Sequence, residues 1–425
     1  MNFRNTLEFA QQLDAEDPLR TYRDQFIFPK HNGKEVIYFA GNSLGLQPKN
    51  ARTYVNEVMD SWAERAVEGH FHGQRPWWDY HERFSEKLAP VVGALPEEVS
   101  VMNTLTVNLH LLLVSFYRPT STRFKIICEE KAFPSDQYML ASQVCYHGYN
   151  PEDAIVEIQK RDGEHTFRTE DILDKITMYK DDAALVFIGG VNYYSGQVFD
   201  MKRITDHAKQ YGISVGWDLA HAVGNVELQL HDWGVDFASW CSYKYMNSGP
   251  GSVSGYFVHE RHLNKNDIPR FEGWWGHSKD RRFLMEPDFV PEPDANAWQI
   301  SNAPILSLAP YLASLEYFDQ VGMESIINKR NQIVSYLEFI LYECARDVDT
   351  TFEIITPKFP HRGTQLSVFL HGQGKSLFDY LMKNGVVLDW REPNVIRLAP
   401  APLYCSYSDM FHFGQILKAG VQAVR

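Results

Sequence analysis

Lys244 and Asp218 are the residues whose types and spacing point most directly to chemistry. The apolar run ISVGWDLAHA (213–222) places Asp218, Ala220 and His221 at its end, and 26 residues after Asp218 the run DFASWCSY (236–243) hands over to Lys244 through Tyr243. If both runs are neighbouring strands of a parallel sheet, their carboxyl ends converge on the edge where such sheets bind ligands. A lysine amine there can condense with an aldehyde, and a carboxylate there can keep a ring nitrogen cationic. Together these are what pyridoxal phosphate (PLP) needs to act as an electron sink. Each residue alone has a plainer reading, since an aspartate can cap a helix and a lysine is ordinarily a solvated surface group. Lys244 differs in following a buried-looking strand and preceding the turn NSGPGS (247–252).

Other segments could complete such a site. In NTLTVNLHLLLVSFY, Thr104 or Thr106 can open an apolar helix whose free N–H groups and dipole attract a phosphate, although ordinary capping explains them equally well. In KAFPSDQY, Phe133 could lie flat on a cofactor ring while Asp136 supports its nitrogen. Arg397, in VIRLAPAP, can clamp a carboxylate bidentately or form a structural ion pair, and Ser43 sits in FAGNSLGLQP.

These residues need a scaffold, and the chain reads as one. Short apolar, β-branched runs alternate with helical patterns: KIICEE (125–130), AIVEI (154–158), ALVFIGGV (184–191), the two runs above, and SGYFVHE (254–260). This alternation predicts an α/β fold with a mainly parallel sheet. Asp200 can cap the crossover helix MKRITDHAKQY, which stops at Gly212. Beyond the irregular FVPEPDANAW come two long helical patterns, then the strand-like LSVFLH (366–371) and VIRLAP (395–400) around FDYLMKNG, so the last part reads as a smaller α+β domain.

Composition narrows the class. The 425 residues are 44% hydrophobic, ordinary for an enzyme-sized globular chain. A net charge of -13, with no basic run longer than Lys279 to Arg282, argues against a nucleic-acid partner. The start, MNFRNTLEFAQQLDAEDPLR, lacks the pattern of a signal peptide, and no apolar stretch is long enough to span a membrane, so a cytoplasmic protein is expected. Five cysteines without C-x-x-C spacing fit reduced thiols.

The blocks FAGNSLGL, GHFHGQRPWW, NTLTVNLHLLL, KAFPSDQY, DLAHAVGNVELQLHDWGVDFASWCSYKYMNSGPG, GWWGH, QISNAPIL and IRLAPAPLY together resemble the kynureninases, in order and over nearly the whole chain. That family belongs to the class-V aminotransferase group of fold-type-I PLP enzymes. The resemblance implies an aspartate-aminotransferase-like architecture: a seven-stranded sheet between helices in a large PLP-binding domain (41–300), a small C-terminal domain (301–425) and an N-terminal segment (1–40) packed on the latter. It also implies a homodimer with active sites at the subunit interface.

Position by position, the resemblance makes Lys244 the Schiff-base lysine, Asp218 the partner of the pyridine nitrogen, and Phe133, Pro134, Ser135 and Asp136 the neighbouring cofactor-binding segment. Leu105, Thr106, His221, Tyr243, Trp274 and Asn302 match the remaining cofactor contacts; Arg397 matches the substrate carboxylate clamp, and Ser43, His70 and Asn302 match substrate-pocket residues. Tyr243 and Lys244 would be the catalytic pair. The implied reaction is hydrolysis of the Cβ–Cγ bond of L-kynurenine or 3-hydroxy-L-kynurenine, giving anthranilate or its 3-hydroxy form and L-alanine, in tryptophan catabolism or NAD biosynthesis. One departure is visible: Gly189 stands where many of the family carry Ser or Thr, so a side-chain hydroxyl is missing there.

Two rival classes remain. A cysteine desulfurase of the same group needs a nucleophilic cysteine on a mobile loop, and Cys405 in PLYCSY lacks the expected surroundings. A metal hydrolase would need closely spaced ligands, and neither His70 with His72 nor His221 with His231 forms a helical i, i+4 pair beside a glutamate.

Overall fold

The computed structural model describes residues 2–265, 267–372 and 374–424. Seven strands form the central sheet: β1 (Val99–Met102), β2 (Lys125–Glu129), β3 (Ile155–Ile158), β4 (Ala183–Gly189), β5 (Ser214–Asp218), β6 (Phe237–Trp240) and β7 (Ser254–Val258), in the order β1-β7-β6-β5-β4-β2-β3. Strands β2 to β6 are mutually parallel, and β7 runs against both β6 and β1.

The strands read as unbroken apolar runs because both faces are covered. Side chains alternate across the sheet with a period of two, so Val186, Ile188, Val215, Trp217, Ala238 and Trp240 enter one hydrophobic cluster while Leu185, Phe187, Phe237 and Tyr256 enter the other. Each such large side chain contributes about 1.5–3 kcal/mol by leaving water. One-residue slippage in β5 would carry Asp218 to the wrong strand-end position and expose Val215 and Trp217 to the wrong face. The crossover helix Met201–Lys209 follows the expected cap, with the Asp200 side chain accepting from the Arg203 amide at 3.2 Å.

After the large sheet, helices Ile305–Val321 and Met323–Asp347 meet at Gly322, where φ is +74°. They lead into a second, four-stranded antiparallel sheet of Glu353–Ile354, Leu366–Phe369, Val395–Leu398 and Asp389–Arg391. The register of the last two strands sets Asp389 directly opposite Arg397. The chain's first residues pack on this region: Asp14 accepts from the amides of Tyr407 and Ser408 at 2.6 and 3.0 Å, Asp17 pairs with buried Lys329 at 2.7 Å, and Ile37–Tyr38 aligns parallel to Val386–Val387. Among the described residues, no helix is long and apolar enough to cross a membrane.

Candidate active site

The carboxyl ends of β2, β4, β5 and β6 open on a cavity of about 370 Å³. Its walls include Lys244, Tyr243, Asp218, His221, Asp136, Ser135, Phe133, Leu105, Thr106, Ser43 and Arg397, so eleven residues singled out in the sequence meet in one place. Pro134 lies beside them as the first residue of helix Pro134–Tyr146, a position where its missing N–H costs nothing. Proline also keeps Phe133 extended (φ -55°, ψ 139°), and the first helical turn then carries Asp136 inward.

The adjacent ends of β5 and β6 bring Asp218 and Lys244 together. Asp218 is 8% exposed, accepts from the Ala220 amide at 2.7 Å and shares a hydrogen bond with Asp136, which is 4% exposed. Burial raises both carboxyl groups above the ordinary range. Asp136 is raised well above it, because the charge of Asp218 adds to its own desolvation. Each carboxyl group thus disfavours the ionisation of the other. The charge of Lys244 draws both acids the other way. Desolvated acids with one backbone donor and one lysine nearby call for a further cationic partner, and a protonated ring nitrogen supplies that charge.

His221 lies in the turn after β5, is 7% exposed, and leaves Nδ1 without a partner among the described residues. Burial, then the charges of Lys244, Arg397 and Arg391, push it well below its usual range, so its imidazole is neutral. The helix Leu105–Phe116 starts at the cavity with Thr104 extended and making no side-chain cap, leaving first-turn N–H groups to an anion. The donor set thus fits PLP: an amine for the aldehyde, acids for the ring nitrogen, a helix start for the phosphate. Tyr243 sits against Cys241, whose Sγ lies 3.3 Å from its hydroxyl, and burial pushes the phenol up so that it keeps its proton.

The segment around Ser43 closes the cavity from the N-terminal side. Gly45 is required there, because a Cβ at that position would lie 2.5 Å from the Lys244 carbonyl oxygen. Ser43 donates to Asp389 Oδ2 at 2.5 Å; the same carboxylate pairs with Arg397 and, at 3.4 Å, with Arg391. Arg397 also donates to the Tyr193 carbonyl at 2.7 Å, while its Nε and that of Arg391 have no partner among the described residues. Two arginines around one aspartate leave a net positive charge facing the cavity.

Three singled-out residues stand elsewhere. Trp274 is 40% exposed, with its ring 6.2 Å from that of Phe283; Asn302 is exposed; His70 packs edge-on to Trp77 at 5.2 Å. None of them lines the cavity of its own chain. Conversely, Glu129, Cys241, Arg391, Tyr193 and Asn42 all line it, although their sequence contexts do not single them out. Glu129 carried a usable signal, a carboxylate at a strand end like Asp218, but neighbouring Glu130 obscured which of the two faces inward.

Residues 56–347 match the class-V aminotransferase family, and residues 328–417 match the kynureninase C-terminal domain. The chain is 71% identical over 422 residues to the kynureninase of Christiangramia forsetii, covering 99% of each chain, and 53% identical to that of Myxococcus xanthus, covering 98% of this chain and 97% of that one. In fold it is similar to the apo structure of a cysteine desulfurase from Thermococcus onnurineus NA1 (TM-score 0.74, 17% identity, 91% of this chain and 95% of that one). A cystine C-S lyase in complex with cysteine persulfide superimposes comparably (TM-score 0.76, 15% identity, 90% and 97%). The fold is thus shared with sulfur-processing enzymes, yet the cysteine in this cavity, Cys241, is buried at a strand end with its thiol pushed up by burial. Sequence identity sustained over both halves separates the chain from that wider group: it belongs to the kynureninase family.

Proposed function

We propose that this chain is a PLP-dependent hydrolase that cleaves the Cβ–Cγ bond of L-kynurenine or 3-hydroxy-L-kynurenine, releasing L-alanine and anthranilate or its 3-hydroxy form. The observation that carries this reading is the single cavity uniting Lys244, the Asp136–Asp218 pair, an uncapped helix start and Arg397 in a chain of this kinship.

Lys244 would hold the cofactor's aldehyde, Asp218 with Asp136 its ring nitrogen, and Leu105 and Thr106 its phosphate, with Phe133 and His221 at the ring. Bound there, PLP supplies an electron sink that stabilises negative charge at the substrate's α-carbon. Arg397 receives the substrate carboxylate, and its anchorage by Asp389 and the Tyr193 carbonyl fixes the guanidinium before substrate arrives. The Lys244 amine would be placed to take the proton from the α-carbon and later to return it as a general acid. Asp218, hydrogen-bonded to Asp136, places the negative charge of the pair beside the ring nitrogen. Water adds to the carbonyl carbon; as the bond from that carbon to the β-carbon then breaks, Tyr243, protonated at neutral pH, donates to the β-carbon and recovers a proton from the hydrated carbonyl.

The active form we propose is a homodimer with sites at the interface. What supports it is that Trp274 and Asn302, matched to cofactor contacts, and His70, matched to the substrate pocket, lie outside their own chain's cavity and are free to serve a second copy. Phe271, Phe283, Leu284 and Met285, 53–69% exposed, give the same region an apolar surface suited to burial. A cytoplasmic setting suits five free cysteines, four of them buried. Borohydride reduction tests the cofactor assignment: a visible band should bleach, leaving a pyridoxyl group on Lys244, and label on another lysine, or none, would overturn it.

A further inference from the structure

Glu129, the last residue of β2, is a third acid in the cavity. Only 4% exposed, it accepts from Asn192 Nδ2 at 2.9 Å and from the Gly189 amide at 3.3 Å. Gly189 ends the neighbouring strand β4, and a Cβ there would lie 2.9 Å from Glu129 Oε1. The carboxyl group therefore occupies the room that any side chain at position 189 would need, which is the structural counterpart of the missing hydroxyl.

The charged and titratable groups around it come from every adjoining element. Asp218 faces it from β5, Asp136 from helix Pro134–Tyr146, Tyr193 from the loop after β4, Lys160 from beyond β3, and Cys128 from its own strand. Lys160, the one cation among these, pairs instead with Glu130 at 3.1 Å. Glu129 is thus more closely bound up with the two cavity acids than with any cation.

We propose that Glu129 is a positioning residue of the cofactor site: seated in the notch left by Gly189, its charge governs the Asp136–Asp218 pair and through it the charge carried by the bound ring. This rests on the PLP reading above. Burial, with the charge of Asp218 adding to it, pushes Glu129 up to about 7 against the restraint of the Asn192 and Gly189 hydrogen bonds. Glu129 in turn raises Asp136. As pH rises through that value a negative charge is added, which favours every cationic form in the cavity.

The test is the pH titration of the visible absorption band of the PLP-loaded protein, a readout independent of turnover. Glu129→Gln keeps shape and removes the charge, so the midpoint should fall by about one pH unit. Glu129→Asp, which retains the charge, should restore most of that shift. Gly189→Ala displaces the carboxyl and should lower the midpoint as well, whereas in a Glu129→Ala background the same change should add little, because the two positions act as a unit. A Glu129→Gln protein that titrates with the wild type, or Gly189 and Glu129 effects that simply add, would overturn the proposal while leaving the PLP reading intact. A wild-type protein with no visible band in the presence of PLP would overturn both.

Discussion

Two buried acid centres in this molecule are built from similar residues and behave in opposite ways. Asp236, before β6, accepts from the Val215 amide at 2.8 Å and from Arg261 and His262 at 2.5 and 2.7 Å. Burial alone would raise it, but the His262 hydrogen bond and the Arg261 charge outweigh burial and hold it below the ordinary aspartate range. Glu98 is satisfied likewise, by the amides of Leu95 and Glu260 and by His231. In the cavity, Asp136, Asp218 and Glu129 are equally desolvated but crowd one another, and all are raised. An acid whose donors are supplied by its own chain ties the fold together. Acids that crowd one another beside an open cavity, with repulsion outweighing the few donors they have, store an electrostatic demand that a ligand meets.

The largest expected effect tests the functional centre at its nucleophile. Lys244→Ala should reduce turnover on the order of 10³-fold or more in a steady-state assay and abolish borohydride fixation of PLP. The next pair breaks the comparison directly. Asp218→Asn should lower turnover about a hundredfold while the melting temperature of the cofactor-free protein holds or rises, since a repulsive charge has gone. Asp236→Asn should do the reverse, costing about 3 kcal/mol in denaturant unfolding by stranding Arg261, with little change in kcat for the folded fraction. Equal stability losses in both variants would erase the distinction.

Smaller effects sharpen it. Arg397→Lys should lower kcat/KM about tenfold, mainly through KM, because an ammonium group cannot reproduce the two-pronged grip on a carboxylate. Tyr243→Phe should retain PLP and slow turnover about tenfold; unchanged kinetics would remove its proton-donor role. The smallest is a pH dependence of opposite sign at the two centres. Asp236, held low, stabilises the fold above the ordinary aspartate range, and that contribution is lost as pH falls through that range to its lowered native value. Glu129, raised to about 7, binds its proton more tightly when folded, so its contribution is present in acid and fades as pH rises from about 4.3 to about 7. Thermal melts of cofactor-free protein should therefore show Glu129→Gln gaining on the wild type across that upper window, and parallel melts would contradict the assignment.

Much of the fold was legible because strands buried on both faces leave unbroken apolar runs. KIICEE, AIVEI, ALVFIGGV, ISVGWDLA, DFASWCSY and SGYFVHE each contain a strand of the large sheet. The strand Val99–Met102, short and led by Glu97 and Glu98, carries no such run, and nothing in SGYFVHE marks its antiparallel direction. At the site, Asp218 and Lys244 were legible because they sit at strand ends. The Asp389–Arg397 pairing depends on hairpin register, and the fit of Glu129 over Gly189 depends on neighbouring strands far apart in the chain, neither of which a linear pattern encodes.

The central claim is that this cavity cleaves kynurenine at its Cβ–Cγ bond with Lys244 as the essential amine. Its most direct test is the fluorescence of anthranilate released from L-kynurenine by PLP-loaded wild-type protein, with alanine quantified in the same samples. We expect equimolar anthranilate and L-alanine from the wild type and almost none from Lys244→Ala. A PLP-loaded wild-type protein that releases no anthranilate, or a Lys244→Ala variant as active as the wild type, would contradict it.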